Sequence, residues 1–321
     1  MVTIDDVRKA AERLAPVAIK TPVLPSEILS ARSGRQVLLK AENLQRTGSF
    51  KIRGAYNKIA SLDPEERKRG VVTYSSGNHA QGVACAAKIL ETRAVVVMPE
   101  NAIQSKVSAT KDYGAEIVLS GRTTLDREAT ARELEKDQGL VMVPPFDDPM
   151  VIAGQGTAGL EILEQVPDVE AVLVPVGGGG LLSGVATAIK SLRPEVKVIG
   201  VEPQKANKMY LSLSNQSLTE IGYPETVADG LRPVKPGRLP FEIASKLVDE
   251  ILLVPDGDIL EAMFLLLDKG KLVVEPSGAT AAAALFTMHG HPAGRKVVAV
   301  LSGGNLDFKM LPRYLESAGT R

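Results

Sequence analysis

The chain is short of several things, and each shortage removes a class of protein. A single cysteine, Cys85, among 321 residues excludes an internal disulfide, so no oxidised framework holds this fold. Apolar stretches are short and broken by charge or glycine, and none supplies the ~20 residues that a membrane helix needs. Basic and acidic side chains number 38 each, so the net charge of zero gives no electrostatic footprint for nucleic acid or a membrane surface. Histidine is scarce: His289-Gly290-His291 reads as a solvated turn, and no histidine spacing resembles a metal site. The opening residues Met-Val-Thr-Ile-Asp-Asp are acidic and lack the pattern of a signal peptide. These absences point to a cytoplasmic protein whose partner is a small molecule.

What is present suits a sizeable core. The hydrophobic fraction is 44%, and the length fits one large or two medium α/β domains. From residue 70 onward, short β-branched runs alternate with helical stretches, the pattern of a parallel sheet wrapped by helices. A first series places strands at 71–74, 94–98, 116–119 and 140–143, and it closes at Pro144-Pro145-Phe146-Asp147-Asp148-Pro149, a segment poor for regular structure. A second series places strands at 171–176, 197–201, 250–254 and 296–301, with a loop-like region from 203 to 238. The expected class is therefore α/β: two open, twisted, mostly parallel sheets flanked by helices. Residues 66–147 read as a small domain inserted into a large one made of 1–65 and 148–321.

Three places carry chemistry. Lys51 lies in Thr47-Gly48-Ser49-Phe50-Lys51-Ile52-Arg53-Gly54-Ala55-Tyr56, with no acid within eight positions before it or eleven after it. A lysine so placed has no salt-bridge partner close in sequence, and partial burial or capture by a carbonyl compound turns such an amine into a nucleophile. The strand at 171–176 runs into Gly177, Gly178, Gly179 and Gly180 and then into a helical stretch, a bare loop at a helix start that suits a phosphate. Ser302 ends the last strand, where open α/β sheets place ligand-binding residues. A competing signal, Gly154-Gln155-Gly156-Thr157-Ala158-Gly159, matches a dinucleotide fingerprint. It lacks the strand that must precede one, and it reads instead as the opening of a helix over 157–165 whose glycines allow close packing.

The segment from Glu42 to Ala55 resembles the pyridoxal phosphate attachment site of the serine/threonine dehydratase family, which also contains serine racemase. Ser75-Ser76-Gly77-Asn78-His79, the four glycines, Glu275-Pro276-Ser277-Gly278 and Ser302-Gly303-Gly304-Asn305 follow in the family's order, so the resemblance covers nearly the whole chain. Cysteine and threonine synthases typically place Asp-Arg after the lysine; Ile52-Arg53 here favours the dehydratase branch. The resemblance implies a tryptophan synthase β-like fold (fold-type II) with pyridoxal 5'-phosphate between the two domains. Lys51 would form the Schiff base, with Phe50, Asn78, Gly177, Gly178, Gly179, Gly180, Glu275 and Ser302 around the cofactor. Asn78 would bond its 3-oxygen and Ser302 its ring nitrogen. Ser75, Ser76 and His79 would surround the substrate carboxylate.

The activity so implied is elimination of the β-hydroxyl from L-threonine, giving 2-oxobutanoate and ammonia, and from L-serine, giving pyruvate. Lys51 would take the α-proton. A serine at the ring nitrogen leaves the ring neutral and a weaker electron sink, which favours prompt loss of the hydroxyl. The alternatives within the family are serine racemase, with Ser76 as acid on the opposite face and Arg127 brought to the substrate, and 3-hydroxyaspartate ammonia-lyase. Outside it, the 154–159 glycines raise a nicotinamide-dependent oxidoreductase. Family members with a divalent cation use a glutamate, a backbone carbonyl four residues on, and an acid two further. Glu202 and Ala206 match as metal ligands, but Lys208 takes the third place, so a cation there would be repelled. The resemblance also suggests a homodimer or homotetramer, and a chain without a C-terminal regulatory domain.

Overall fold

Valine-rich runs with no polar face require cover on both sides, and parallel pairing between helical layers provides it. In chain order, the strands among the described residues are β1 (Val23–Pro25), β2 (Gln36–Lys40), β3 (Val71–Tyr74), β4 (Ala94–Met98), β5 (Glu116–Leu119), β6 (Val141–Met142), β7 (Ala171–Pro175), β8 (Lys197–Pro203), β9 (Glu250–Val254) and β10 (Lys296–Val300). The structure, a computed structural model, describes residues 1–75, 77–102, 104–121, 123–288 and 290–318. Six strands form one sheet in the order β1-β2-β10-β7-β8-β9, and four form a second in the order β5-β4-β3-β6. Only β1 with β2 is antiparallel; the other named pairings are parallel. The chain is thus α/β with two open, mostly parallel sheets.

Alternation along β7 shows how the large sheet is covered. Ala171 and Leu173 enter one core with residues of helices Asp256–Asp268 and Pro276–Ala283, while Val172 and Val174 enter another with residues of helices Pro149–Gln165 and Gly180–Leu192. The small sheet divides likewise, Val71 and Val96 on one side and Val72 and Val97 on the other. Helix Lys51–Ala60 lies between the two bodies. Its Ile52, Ala55 and Ile59 join the core beneath the small sheet, while Gly54 meets Gln155 and Val151 of helix Pro149–Gln165 so closely that a β-carbon would lie 2.4 Å from the Gln155 amide.

Each sheet has one point where its strand order reverses. In the large sheet β7 has β8 on one side and β10 on the other; in the small sheet β3 has β4 on one side and β6 on the other. Crevices at the carboxyl ends of such strands are where open α/β sheets bind ligands. β7 ends at the four glycines, β10 at Ser302 and β3 at Ser75.

Two local expectations are corrected. The helix expected over 157–165 begins at Pro149, because Asp148 caps it by accepting from Met150 N at 2.8 Å and Val151 N at 3.0 Å, with proline at the first position. Its glycines therefore lie inside the helix, where β-carbons would meet backbone: 2.4 Å from Arg53 O at Gly154 and 2.8 Å from Gly184 O at Gly156. The region 203–238 also contains helix Lys208–Ser214 and short 3-10 turns at Gln204–Ala206 and Asp229–Leu231.

Candidate active site

Lys51 opens its helix one residue after Phe50. Its amine donates to Pro145 O at 2.8 Å and lies 5.1 Å from the centre of the Phe50 ring. The residue keeps some surface on the cleft, but its amine is packed by protein, and that burial pulls its pKa from the ordinary lysine value down to about 8. Among the described residues no carboxylate pairs with it. At that value roughly a tenth of Lys51 is uncharged at pH 7, far more than of a surface lysine.

Across the cleft, the four glycines link β7 to helix Gly180–Leu192. The first-turn N–H groups of that helix have no intrahelical carbonyl, and the helix dipole adds positive potential. A β-carbon at Gly178 would sit 2.3 Å from the Phe146 ring, and Gly179 has φ of 96°, so this path needs glycine at both places. A bare loop of this kind at a helix start has the shape and polarity that suit a phosphate.

Ser302, 5% exposed, forms the wall at the end of β10, and its carbonyl accepts from Phe50 N at 3.2 Å, tying the wall to the lysine segment. Asn78 donates to Glu275 Oε1, and its own carbonyl oxygen accepts from Asn305 Nδ2 at 2.8 Å. Gly303 lies against this pair, with space for no side chain: a β-carbon would be 2.4 Å from Glu275 Oε1. Burial, reinforced by the neighbouring Asp229, pushes Glu275 up to about 7, so this carboxyl is protonated below neutral pH and only about half so at pH 7. Asp229 in turn pairs with Lys106 at 2.8 Å.

The small sheet contributes Ser75, His79 and Arg127 to the same cleft. Ser75 Oγ accepts from Gly77 N at 3.3 Å, bending the chain into helix Asn78–Ile89. His79 is 2% exposed, with Nε2 at 3.0 Å from Val143 O. Burial, then the charge of Lys51, pulls its pKa down to about 3, so the ring is neutral, and its Nδ1 is buried with no hydrogen-bond partner. Arg127 comes from helix Thr124–Gln138. Ser76 and His289 lie outside the described residues.

The cleft encloses about 390 Å³ and gathers Phe50, Lys51, Ser75, Asn78, His79, Arg127, the four glycines, Glu275 and Ser302. Sequence reasoning missed Tyr74, Lys106, Phe146, Tyr223 and Asp229, which also line it. Tyr74 ends β3, a position that could have marked it, whereas Lys106 lies on helix Gln104–Lys111 and Phe146, Tyr223 and Asp229 come from loops or a 3-10 turn with no local signal. A larger cavity of about 570 Å³ shares Lys106, Tyr223, Asp229, Arg232 and Glu275 with the cleft but contains neither Lys51 nor the glycines. Glu202 and Ala206 line neither space, and among the described residues no group of three His, Cys, Asp or Glu side chains is placed to hold a metal ion.

A desolvated lysine opposite a phosphate cradle, in a crevice between two parallel sheets, defines an enzyme class that anchors a phosphorylated carbonyl cofactor through an amine. The open first-turn N–H groups after the four glycines leave donors for the phosphate of such a group, so the residues fit it. The chain belongs to the pyridoxal-phosphate dependent enzyme family, whose model matches residues 14–303. It is 48% identical over 315 residues to an L-threonine ammonia-lyase from Thermotoga maritima, covering 98% of this chain and 78% of the relative. It is 46% identical over 308 residues to the catabolic L-threonine dehydratase of Escherichia coli K12, covering 95% and 94% of the two. The structure of maize serine racemase superposes with a TM-score of 0.94 at 38% identity, covering 98% of this chain and 97% of that one.

Proposed function

We propose that the chain deaminates L-threonine to 2-oxobutanoate and ammonia, and L-serine to pyruvate and ammonia, by eliminating the β-hydroxyl. The carrying observation is Lys51, an amine held near pKa 8 by burial alone and facing the glycine cradle across one cleft. The enzymes of Thermotoga maritima and Escherichia coli, at 48% and 46% identity, support threonine as substrate.

Bound pyridoxal phosphate supplies an electron sink for the pair left when a substrate loses its α-proton. Lys51 would be the attachment residue and, as a free amine, the base that takes the α-proton; its lowered pKa suits both roles. Gly177, Gly178, Gly179 and Gly180 would hold the phosphate, and Ser302, being uncharged, would offer the ring nitrogen one hydrogen bond. Phe50 packs beside Lys51, and Asn78 with Glu275 borders the opposite edge. By the resemblance Ser75 and Ser76 would receive the substrate carboxylate, with His79 and Arg127 lining the same cleft. The β-hydroxyl leaves as water, and addition of water to the resulting enamine releases ammonia, so the net reaction is amino acid to 2-oxo acid plus ammonia.

Residues 66–147 act as a small domain inserted between 1–65 and 148–321, a reading supported by the pairing of β3, β4, β5 and β6 with one another alone. We also read the chain as a cytoplasmic homodimer or homotetramer. The single Cys85 fits a reducing compartment, and no helix among the described residues is long and apolar enough to cross a membrane.

The test is visible absorbance of the purified protein before and after borohydride, beside 2-oxo acid and D-serine assays. We expect a yellow band abolished by reduction, 2-oxobutanoate from threonine, and a folded, colourless, inactive Lys51→Ala variant. Near-normal turnover in that variant would sink the assignment, and D-serine as the main product from L-serine would move it to a racemase.

A further inference from the structure

Lys208 is among the largest fully buried side chains, at 0% exposure, yet it lies outside both cavities. Its ammonium meets four oxygens: Glu202 Oε1 at 2.8 Å, Ala206 O at 2.9 Å, Val176 O at 3.1 Å and Leu231 O at 3.2 Å. Three N–H groups facing four acceptors, one of them a carboxylate at 0% exposure, make an oxygen cage of the composition that binds cations. Glu202 completes its bonding with Met209 N and Tyr210 N, at the start of helix Lys208–Ser214.

The cage sits directly under the phosphate cradle. Val176 immediately precedes Gly177, and Leu231 follows Gly230, whose carbonyl lies so close to Gly177 that a β-carbon there would be 3.1 Å away. Met209 lies under Gly179, where a β-carbon would be 2.8 Å from its methyl group. One ammonium thus gathers the strand end before the glycine loop, the segment beside it and the helix beneath it.

We infer that Lys208 is a built-in cation, filling with its own amine the carboxylate-and-carbonyl cage in which a free metal ion would otherwise shape the cofactor's phosphate loop. Lys208 is a positioning residue, and the divalent ion that some family members hold at the positions of Glu202 and Ala206 does not fit here, as the lysine at the third position led us to expect. An ion at that point would meet an ammonium already bonded to both ligands. The cage is also too wide for a hard divalent ion, whose oxygens lie at roughly 2.0–2.6 Å.

The experiment compares wild type with Lys208→Ala, reading the thermal midpoint of the apoprotein and the pyridoxal phosphate retained after dialysis, each with EDTA and with potassium, ammonium, magnesium or calcium chloride. Wild type is expected to be indifferent to EDTA and to all four cations. Lys208→Ala, which leaves the Glu202 charge buried, is expected to melt roughly 10 °C lower, to lose cofactor at least ~10-fold more readily, and to recover a large part of both losses with potassium or ammonium. Wild-type melting that falls with EDTA and rises with magnesium or calcium would overturn the inference. So would a destabilised variant that no cation relieves, since Lys208 would then be ordinary packing. If Lys208→Ala does not fold, Lys208→Met is compared with Glu202→Gln/Lys208→Met, which also removes the buried charge. The double variant is expected to be clearly the more stable, and equal stability would refute the cage. The cofactor arm rests on the proposed function and the melting arm does not, so their failures are separable.

Discussion

Arg53, two residues from Lys51, is at 0% exposure and joins two carboxylates: Glu42 through Nε and Nη2, both at 2.8 Å, and Glu161 through Nη1 at 2.7 Å and Nη2 at 2.9 Å. Methionine in its place keeps the volume and removes the charge, leaving Glu42, itself at 0% exposure, without its main partner. Breaking a buried pair on one side costs about 3–5 kcal/mol, and at about 2–4 °C per kcal/mol the thermal midpoint should fall by roughly 6–20 °C. The pH dependence carries a sign. In wild type, burial pushes Glu42 up, but Arg53 overrides it and holds the carboxyl below its ordinary range. That contribution is present above the unfolded value of about 4.3 and is lost as pH falls through the lower folded value. Without Arg53, burial dominates, Glu42 takes a proton to fold, and the deficit should shrink as pH falls from about 8 to about 5. Urea denaturation of both proteins at the two pH values measures this. A deficit under about 1 kcal/mol, or one equal at both pH values, would refute the argument.

Glu275 has the opposite sign: the native state keeps a proton up to about pH 7 that the unfolded chain gives up far lower, so stability drains as pH rises toward 7 and is level above it. Glu275→Gln keeps the acceptor for Asn78 and should be more stable than wild type at pH 8 and close to it below pH 4, by denaturation; an equal difference at both would count against a protonated Glu275. The free amine of apoprotein Lys51 titrates near 8, so the rate of covalent loading by pyridoxal phosphate should rise roughly tenfold between pH 7 and pH 9. Stopped-flow absorbance would follow it, and a rate still climbing tenfold per unit above pH 9 would mean that the amine is not desolvated.

Local order carried much of this protein. The β-branched runs at 71–74, 94–98, 116–119 and 250–254 became strands with those bounds; the first two are buried on both faces, while β5 and β9 lie at sheet edges and keep exposed positions. The glycine loop and Ser302 were legible because each sits at a strand end, where the ligand crevice must lie. The start of helix Pro149–Gln165 was not, because one aspartate cap outweighed a segment that otherwise reads as loop.

By itself the sequence determined the α/β alternation, the chemistry-bearing residues and their order, because those depend on residue type and neighbours along the chain. Only the tertiary structure decided which charges meet. Lys51 has a lowered pKa because burial acts on it with no carboxylate among the described residues beside it, whereas Arg53 received Glu42 and Glu161 from 11 and 108 positions away. Lys208 and Glu202 are six residues apart, but the carbonyls of Val176 and Leu231 that complete their cage come from distant loops. Desolvation and pairing are properties of enclosed space, which exists only once sheets and helices have closed around it.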